Sequence, residues 1–321
     1  MKKPSKKTVA KKRTRFLWIL GIVLVMSVSF MTYLFSTVTS PKIVYIPEGS
    51  VFKSITQLQK DGVNVHWIDA YILRLIGKPQ QGWINIKDEK LSRIVYLYRL
   101  TTAKAALQEI TLIPGETTYM FLYQIASELH LEYDLLKKAY DEKAPMSEGN
   151  FVPDTYSIPR KITEERLIAY LLDKSDKKMK QIFAEYNQPF NTKNMLHIVT
   201  KASVIQKEAA SIDDMPMVSS VIDNRIKEGM RLQMDGTLNY AEFSHQKVTA
   251  KRIRTDTTPY NTYKYKGLPT SPVCNVSKEA IHAAIYPAQT DYLYFVRGKN
   301  GEHIYSSYFS THRKNILNAT K

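Results

Sequence analysis

Met195-Leu196-His197-Ile198-Val199-Thr200-Lys201-Ala202-Ser203-Val204-Ile205-Gln206-Lys207-Glu208-Ala209-Ala210 is the most informative run in the chain. Its apolar positions Met195, Ile198, Val199, Ala202, Ile205 and Ala209 fall on one stripe at about 100° per residue, which predicts a helix over 195–210 packed into a core. Glu208 lies about 60° beyond the edge of that stripe at Ile205, where a carboxylate is partly shielded from water. Lys207 is expected on the outward face, without a chemical role. Upstream, Glu164 to Tyr186 reads as a charged amphipathic helix or pair of helices, closed by the loop Asn187-Gln188-Pro189. Downstream, Asp213-Asp214-Met215-Pro216 breaks the chain, and Val218 to Arg225 forms a further helix ending at Gly229. Beyond it the texture changes to short segments rich in Tyr, Thr, Pro and Gly, such as Pro259 to Tyr263 and Gly267 to Pro272. These suit either a groove for an extended polar ligand or ordinary turn chemistry between strands. Tyr292 to Val296 and His303 to Ser306, around a turn at Gly298 to Gly301, predict a hairpin.

The 321 residues allow two compact domains, and 44% hydrophobic content with 21 Tyr supplies cores and aromatic surfaces. A single cysteine, Cys274, excludes an internal disulfide framework and any site built from several thiolates. No HExxH, GxGxxG or GxxxxGK[ST] pattern occurs, so metalloprotease, dinucleotide and P-loop chemistry have no support. The seven His are scattered without partners at ligand spacing, and neither a metal nor a cofactor is implied.

The formal charge of +16 is unevenly placed. Eight basic residues and no acid stand in the first fifteen positions, which leaves 38 basic against 30 acidic residues in the rest. No charge occurs from Phe16 to Pro41, and the apolar part, Phe16 to Val38, spans roughly 35 Å as a helix at about 1.5 Å per residue. That predicts a cytoplasmic basic tail over 1–15, a membrane helix over 16–38, and everything beyond about residue 40 outside the membrane. Ser36 to Ser40 would suit a cleaved signal peptide, but the apolar run exceeds the usual signal length. Outside the membrane there is no nucleic acid to meet; acidic surfaces are the partners that excess charge favours, and a solvated face accounts for it equally well.

Ile43 to Ser50 reads as a strand and turn, followed by a helix from Val51 to Leu58 that stops at Gly62. A loosely similar unit comes later, at Thr111 to Thr117 with a helix over Phe121 to Leu129. Between them Gln81 to Ile86 reads as a strand and Lys90 to Leu107 as a helix. Such small modules need partners to bury their sheets, which groups 42–160 as an accessory region and 161–321 as a second domain, an α+β chain overall.

Taken together, these segments resemble the endolytic murein transglycosylases of the YceG-like family. The resemblance is carried by Ala202 to Glu208, Val221 to Arg225, Gly229 to Asp235, Tyr260 to Tyr263, Gly267 to Pro269 and Tyr292 to Val296, with Glu148 to Tyr156 upstream. It implies a LysM-like glycan-binding subdomain in the accessory region, a catalytic domain over 161–321, and Glu208 as the catalytic acid. Gln206 stands where an acid is frequent, Gly236 where Pro is usual, and Asn275-Val276-Ser277 where Asn-Pro-Gly is more usual. The first leaves Glu208 as the sole carboxylate of its motif; the other two concern loop geometry.

The resemblance further implies a single-pass protein of the bacterial inner membrane, its bulk periplasmic. It would cut MurNAc–GlcNAc β-1,4 bonds of nascent glycan strands to leave 1,6-anhydroMurNAc ends and so terminate elongation, with cell-wall synthesis enzymes as candidate neighbours. Glu208 would first donate a proton to the leaving oxygen, then accept one from the C6 hydroxyl. Gln233, Asp235, Asn261 and Tyr263 are placed along the glycan or in turns, and His303 against substrate or a backbone carbonyl. Two rivals remain: a muramidase in which Asp235 or Asp256 activates water beside Glu208, and a noncatalytic wall-binding scaffold.

Overall fold

The structure is a computed structural model that describes residues 6–160 and 162–320. It is a mixed helix and strand chain with small two-stranded sheets, in two compact units. One unit holds the chain up to Gln108 with Pro159 and Arg160; the other holds Glu109–Ile158 and the chain from Ile162 onward.

The first unit begins with α1 (Lys6–Phe35), whose stretch Arg15–Phe35 is long and apolar enough to cross a membrane and has no buried residue. The helix stops before Val38 because Ser36 turns back on it, its N–H and hydroxyl both donating to the Tyr33 carbonyl. Val38 is fully buried in β1 (Thr37–Thr39), so the apolar run is divided between the exposed α1 and the core of the first unit. β2 (Ile43–Ile46) leads into α2 (Val51–Lys60), capped by Ser50, whose hydroxyl accepts from Lys53 N–H. α3 (Trp67–Ile76) comes next, then β3 (Gly82–Asn85), β4 (Lys90–Ser92) and α4 (Arg93–Thr102). β1 pairs antiparallel with β4 and β2 with β3, bringing Val38 opposite Leu91 and Val44 opposite Ile84. Ile46, Leu58, Leu73, Tyr96 and Leu100 complete the core. The expected helix over Lys90 to Leu107 is therefore shorter at both ends. Its first three residues are drawn into pairing with β1, and Ala103 is extended, so that the chain can run beside β3 through Ala106 N–H to Trp83 O.

The second unit holds β5 (Leu107–Leu112) from Glu109 onward, α5 (Thr118–Leu129), α6 (Tyr133–Lys143) and β6 (Asp154–Pro159) up to Ile158, β6 pairing with β5. α7 (Glu164–Glu185) lies against α6, and Phe121, Leu136, Phe151, Ile158 and Leu171 form their shared core. α8 (Thr192–Glu208) and α9 (Met215–Lys227) come next, then short 3-10 turns at Asp235–Leu238 and Ala241–Phe243. α10 (Ala250–Thr255), α11 (Lys278–Ile285), the hairpin of β7 (Tyr294–Arg297) with β8 (His303–Ser306), and α12 (Phe309–Thr320) end the chain.

α8 is more deeply enclosed than one apolar stripe implies. Every residue from Ile198 to Ile205 is buried, including Thr200, Lys201 and Ser203. Lys201 is tolerated because its ammonium meets Asp223 at 2.7 Å and donates to the Ala284 carbonyl at 3.0 Å. The Ser203 hydroxyl donates to the Thr200 carbonyl and accepts from Val273 N–H.

The packing divides the chain near residue 108 where the sequence suggested 160. The reason is visible at Asn275, fully buried after α10. Its side chain accepts from Phe151 N–H and donates to the Glu116 carbonyl, while Gly115 N–H donates to the Asn275 backbone carbonyl. Those bonds stitch 109–158 into the unit that carries α8. The Asn275-Val276-Ser277 variation is absorbed without loss, because the Ser277 hydroxyl caps α11 by accepting from Ala280 N–H.

Candidate active site

Glu208 is the last residue of α8, since Ala209 turns extended and ends the helix. The side chain leaves the helix end at the edge of the core, partly buried, and meets the 3-10 turn that starts at Asp235. Gly236 N–H donates to Glu208 Oε1 at 2.6 Å. A Cβ at position 236 would lie 2.6 Å from Lys207 Cβ and 2.8 Å from Glu208 Oε1, so only glycine allows the backbone this close. The departure at 236 thus gives the acid a hydrogen-bond donor, which proline could not supply.

Burial pushes the Glu208 carboxyl up to about 7. The Gly236 bond works against that rise, the nearby negative charge of Asp235 adds to it, and His303 and Arg225 oppose it. Among the described residues, the bond from Gly236 is the one hydrogen bond to this carboxylate, so the second oxygen is left for a ligand. A protonated carboxyl near neutral pH, with one free oxygen at the rim of a core, is suited to donating a proton and then taking one back.

A second buried carboxyl, Glu148, is also pushed to about 7 by burial, yet its surroundings differ. It accepts from Thr118 N–H, the Thr118 hydroxyl and Gly149 N–H, which saturates it as the clamp on the start of α5. Gly149 beside it has φ +77°, and a Cβ there would meet Pro272 and Val199 at 2.9 Å. Glu148 is a structural acid; Glu208 is an available one.

The residues singled out in the sequence separate into groups. Asp235 is exposed and accepts from the Tyr263 hydroxyl at 2.6 Å, and both are close enough to Glu208 to act on its charge or be acted on by it. Burial, that bond and the charges of Asp235 and Glu208 all hold the Tyr263 phenol neutral. Gln233 is exposed with φ +51°, pinned by its N–H to the Thr262 carbonyl between the buried Leu232 and Met234. Asn261 is fully buried and does not face a groove. Its amide donates to the carbonyls of Ile253 and Asp256 and its oxygen accepts from Tyr263 N–H, so it shapes the loop that presents Tyr263. His303 is nearly buried, with Nδ1 2.7 Å from Asp214 Oδ2 in place of a backbone carbonyl.

Asp256, a candidate partner for Glu208 in a two-carboxylate scheme, is occupied elsewhere. It accepts from Thr258 N–H, the Thr258 hydroxyl and the Tyr240 hydroxyl, with Arg252 at 3.8 Å. Burial works against its ionisation, but those partners win and hold it below the usual carboxylate range.

Several contributors were not assigned roles from sequence. Asp214 reads as a helix breaker, yet it gathers His303, the Tyr305 hydroxyl and Ala210 N–H around one carboxylate just beyond Glu208. Arg225 is buried and donates to the carbonyls of Leu293, Leu232 and Arg231, bringing its charge toward Glu208 and Tyr263. Lys207 does not point outward as expected. It is partly buried and donates to the Ser244 hydroxyl, which donates in turn to Glu116. The one available signal was that these residues sit in or beside the segments carrying Glu208 and Arg225. Among the described residues, no group of three His, Cys, Asp or Glu could hold a metal ion.

Comparison with known proteins bears on the same elements. The YceG-like family model matches residues 44–318. An endolytic murein transglycosylase of Bacillus subtilis is 30% identical over 301 residues, covering 84% of this chain and 82% of its own. One from Streptococcus pneumoniae is 33% identical over 177 residues, 53% of this chain but only 31% of its own longer one. A solved YceG-like protein of Listeria monocytogenes superposes with a TM-score of 0.55 at 26% identity, over 85% of this chain and 98% of that one. Since the match runs from β2 into α12 and takes in Glu208, Gly236 and the hairpin that carries His303, the chain belongs to the YceG-like family.

Proposed function

We propose that this chain is an endolytic peptidoglycan lytic transglycosylase, a lyase that cuts MurNAc–GlcNAc β-1,4 bonds within glycan strands, with Glu208 as its acid and base. The observation that carries the reading is the single carboxylate at the end of α8, pushed by burial to about 7 and bonded through one oxygen only. Relatives at 30% and 33% identity bear the name of that activity, which supports the substrate class.

In the reaction, neutral Glu208 gives its proton to the glycosidic oxygen as the C1–O bond breaks, and the GlcNAc side leaves as an alcohol. The carboxylate then takes the proton of the MurNAc C6 hydroxyl, whose oxygen closes onto C1. The 1,6-anhydro product conserves every atom without water and returns Glu208 to its starting state. Gly236 holds the carboxylate in place through both steps, and the positive charge of Arg225 eases its transient ionisation. Asp235, Tyr263, Gln233 and His303 are the groups proposed to bind the glycan beside it; Asn261 supports their loop.

Around this site we place α1 as a single-pass anchor in the inner membrane, with the N-terminus inside and both units on the periplasmic side, within reach of nascent strands and of the enzymes that make them. The first unit is the candidate LysM-like glycan holder, its two-stranded β2–β3 sheet bearing Trp83 and Tyr45 with rings 5.4 Å apart. Mass analysis of products from purified glycan strands tests the reaction. Anhydro ends, lighter by one water than reducing ends, are expected; reducing MurNAc ends would transfer the chemistry to a muramidase pairing Glu208 with Asp235. Strands left uncut by the intact protein would leave a binding scaffold.

A further inference from the structure

α3 has two apolar faces. Asp69, Ala70, Ile72 and Leu73 are buried in the first unit, while Trp67, Tyr71 and Leu75 are 66%, 52% and 88% exposed, with Ile68 beside them at 37%. At about 100° per residue the four exposed side chains fall within about 100° of arc, opposite the buried ones. Single exposed apolar residues need no explanation, but a stripe of two aromatics and two aliphatics along one helix marks a contact surface. Arg74 and Lys78, both exposed, stand at its far end.

The position of this stripe suggests its partner. His66, the residue before α3, has its ring 6.3 Å from that of Tyr33, two residues before the end of α1. The Tyr33 hydroxyl donates to Asp69 Oδ1 at 2.9 Å, Arg93 meets Asp69 Oδ2 at 2.5 Å, and the Arg93 guanidinium stacks 4.4 Å over the Tyr33 ring. The start of α3 is thereby fastened to the last turn of the apolar helix. About 5 to 7 Å of headgroup layer lies on each side of the hydrocarbon, and that layer is where Trp and Tyr concentrate. Trp67 is one residue from the fastening point.

We propose that the exposed face of α3 lies in the headgroup layer of the membrane crossed by α1, with Trp67, Tyr71 and Leu75 inserted and with Arg74 and Lys78 on anionic lipid phosphates. The inference rests on the proposed anchoring through α1. It makes the first unit a membrane-bound platform braced at two places, at α1 and along α3, where α1 alone would let it swing.

The test uses the full chain in vesicles of phosphatidylcholine and phosphatidylglycerol. The chain has three Trp, so Trp18→Phe with Trp83→Phe leaves Trp67 as the one indole, and Trp67→Phe with Trp83→Phe leaves Trp18. Trp18, three residues inside Arg15 at the other end of the apolar stretch, should be quenched by lipid carrying a nitroxide in the upper acyl chain, and Trp67 by lipid labelled near the headgroup. Iodide should quench Trp67 severalfold less than a free indole. Arg74→Glu with Lys78→Glu should lower the shallow quenching severalfold, and no change would overturn the assignment of anionic headgroups. Trp18 quenched with Trp67 open to iodide overturns the inference and leaves the anchor standing; neither quenched overturns the anchor and the inference together. Trp67 open to iodide in vesicles, then protected when glycan strands are added, would make the stripe a sugar-binding face and overturn the lipid assignment.

Discussion

At Glu208 burial has opposite effects on chemistry and stability. The native state retains a proton that the unfolded chain releases above about 4.5, so Glu208 favours folding at low pH and its stabilising effect is lost as pH rises through about 7. A shift of this size corresponds to roughly 3 kcal/mol when the group is fully ionised. Glu208→Gln should therefore raise the melting temperature at pH 8 and leave it unchanged at pH 4, read by calorimetry. The same variant can neither give nor take the proton, so cleavage should fall by about 10² to 10⁴ or more. For the intact enzyme, kcat/KM for glycan should fall as pH rises above about 7, because the free acid must be protonated to begin; a flat profile up to pH 9 would remove Glu208 from the acid's role. Gly236→Ala should lower activity by about 10², the cost of moving a catalytic group by about an ångström, because its Cβ collides with Lys207 and with the carboxylate it positions. Wild-type activity in that variant would show that the Gly236 contact is dispensable.

At the scale of elements, two similar starts recur. Ser50 caps α2 after Ile46-Pro47, and Thr117 caps α5 after Ile113-Pro114. The patterns are legible because caps and Pro turns act locally. The join between α1, α3 and α4 is not local. Asp69 is fully buried and accepts from Arg93, Tyr33 and His66 N–H, partners 24, 36 and 3 residues away. Asp69→Ala would leave the Arg93 guanidinium buried and unpaired, and should cost the first unit about 3 to 5 kcal/mol. Denaturant unfolding followed through the Tyr and Trp signal of that unit measures it; a loss below about 1 kcal/mol, the scale of a surface pair, would mean that water reaches Arg93.

For the whole molecule, the packing boundary near residue 108 changes which fragments can stand alone. A chain starting at Glu109 keeps Phe121, Ile125, Leu136, Tyr140 and Phe151, the large side chains of the core shared by α5, α6 and α7. A chain starting at residue 161 loses them all and strands Asn275 without its Phe151 and Glu116 partners. The first should unfold cooperatively on heating and the second should not, as followed by far-UV circular dichroism; a cooperative transition from the shorter piece would return the boundary to 160.

The amino-acid sequence by itself determined the membrane-length helix, the helix that carries Glu208, the C-terminal hairpin and the family. Periodicity, charge asymmetry and Gly or Pro punctuation are local signals that survive without a partner. The tertiary structure alone decided that Val38 leaves the apolar run for a core, that Lys90 to Ser92 pairs as a strand, and that 109–158 packs with α8. It also decided that Asn261 holds a loop, that Asp214 orients His303, and that Gly236 bonds Glu208. Each depends on groups far apart in the chain, or on a direction of burial, as with Asn261, that composition does not encode. A buried amide, an ion pair or a backbone N–H acquires its role only from what packing brings to it.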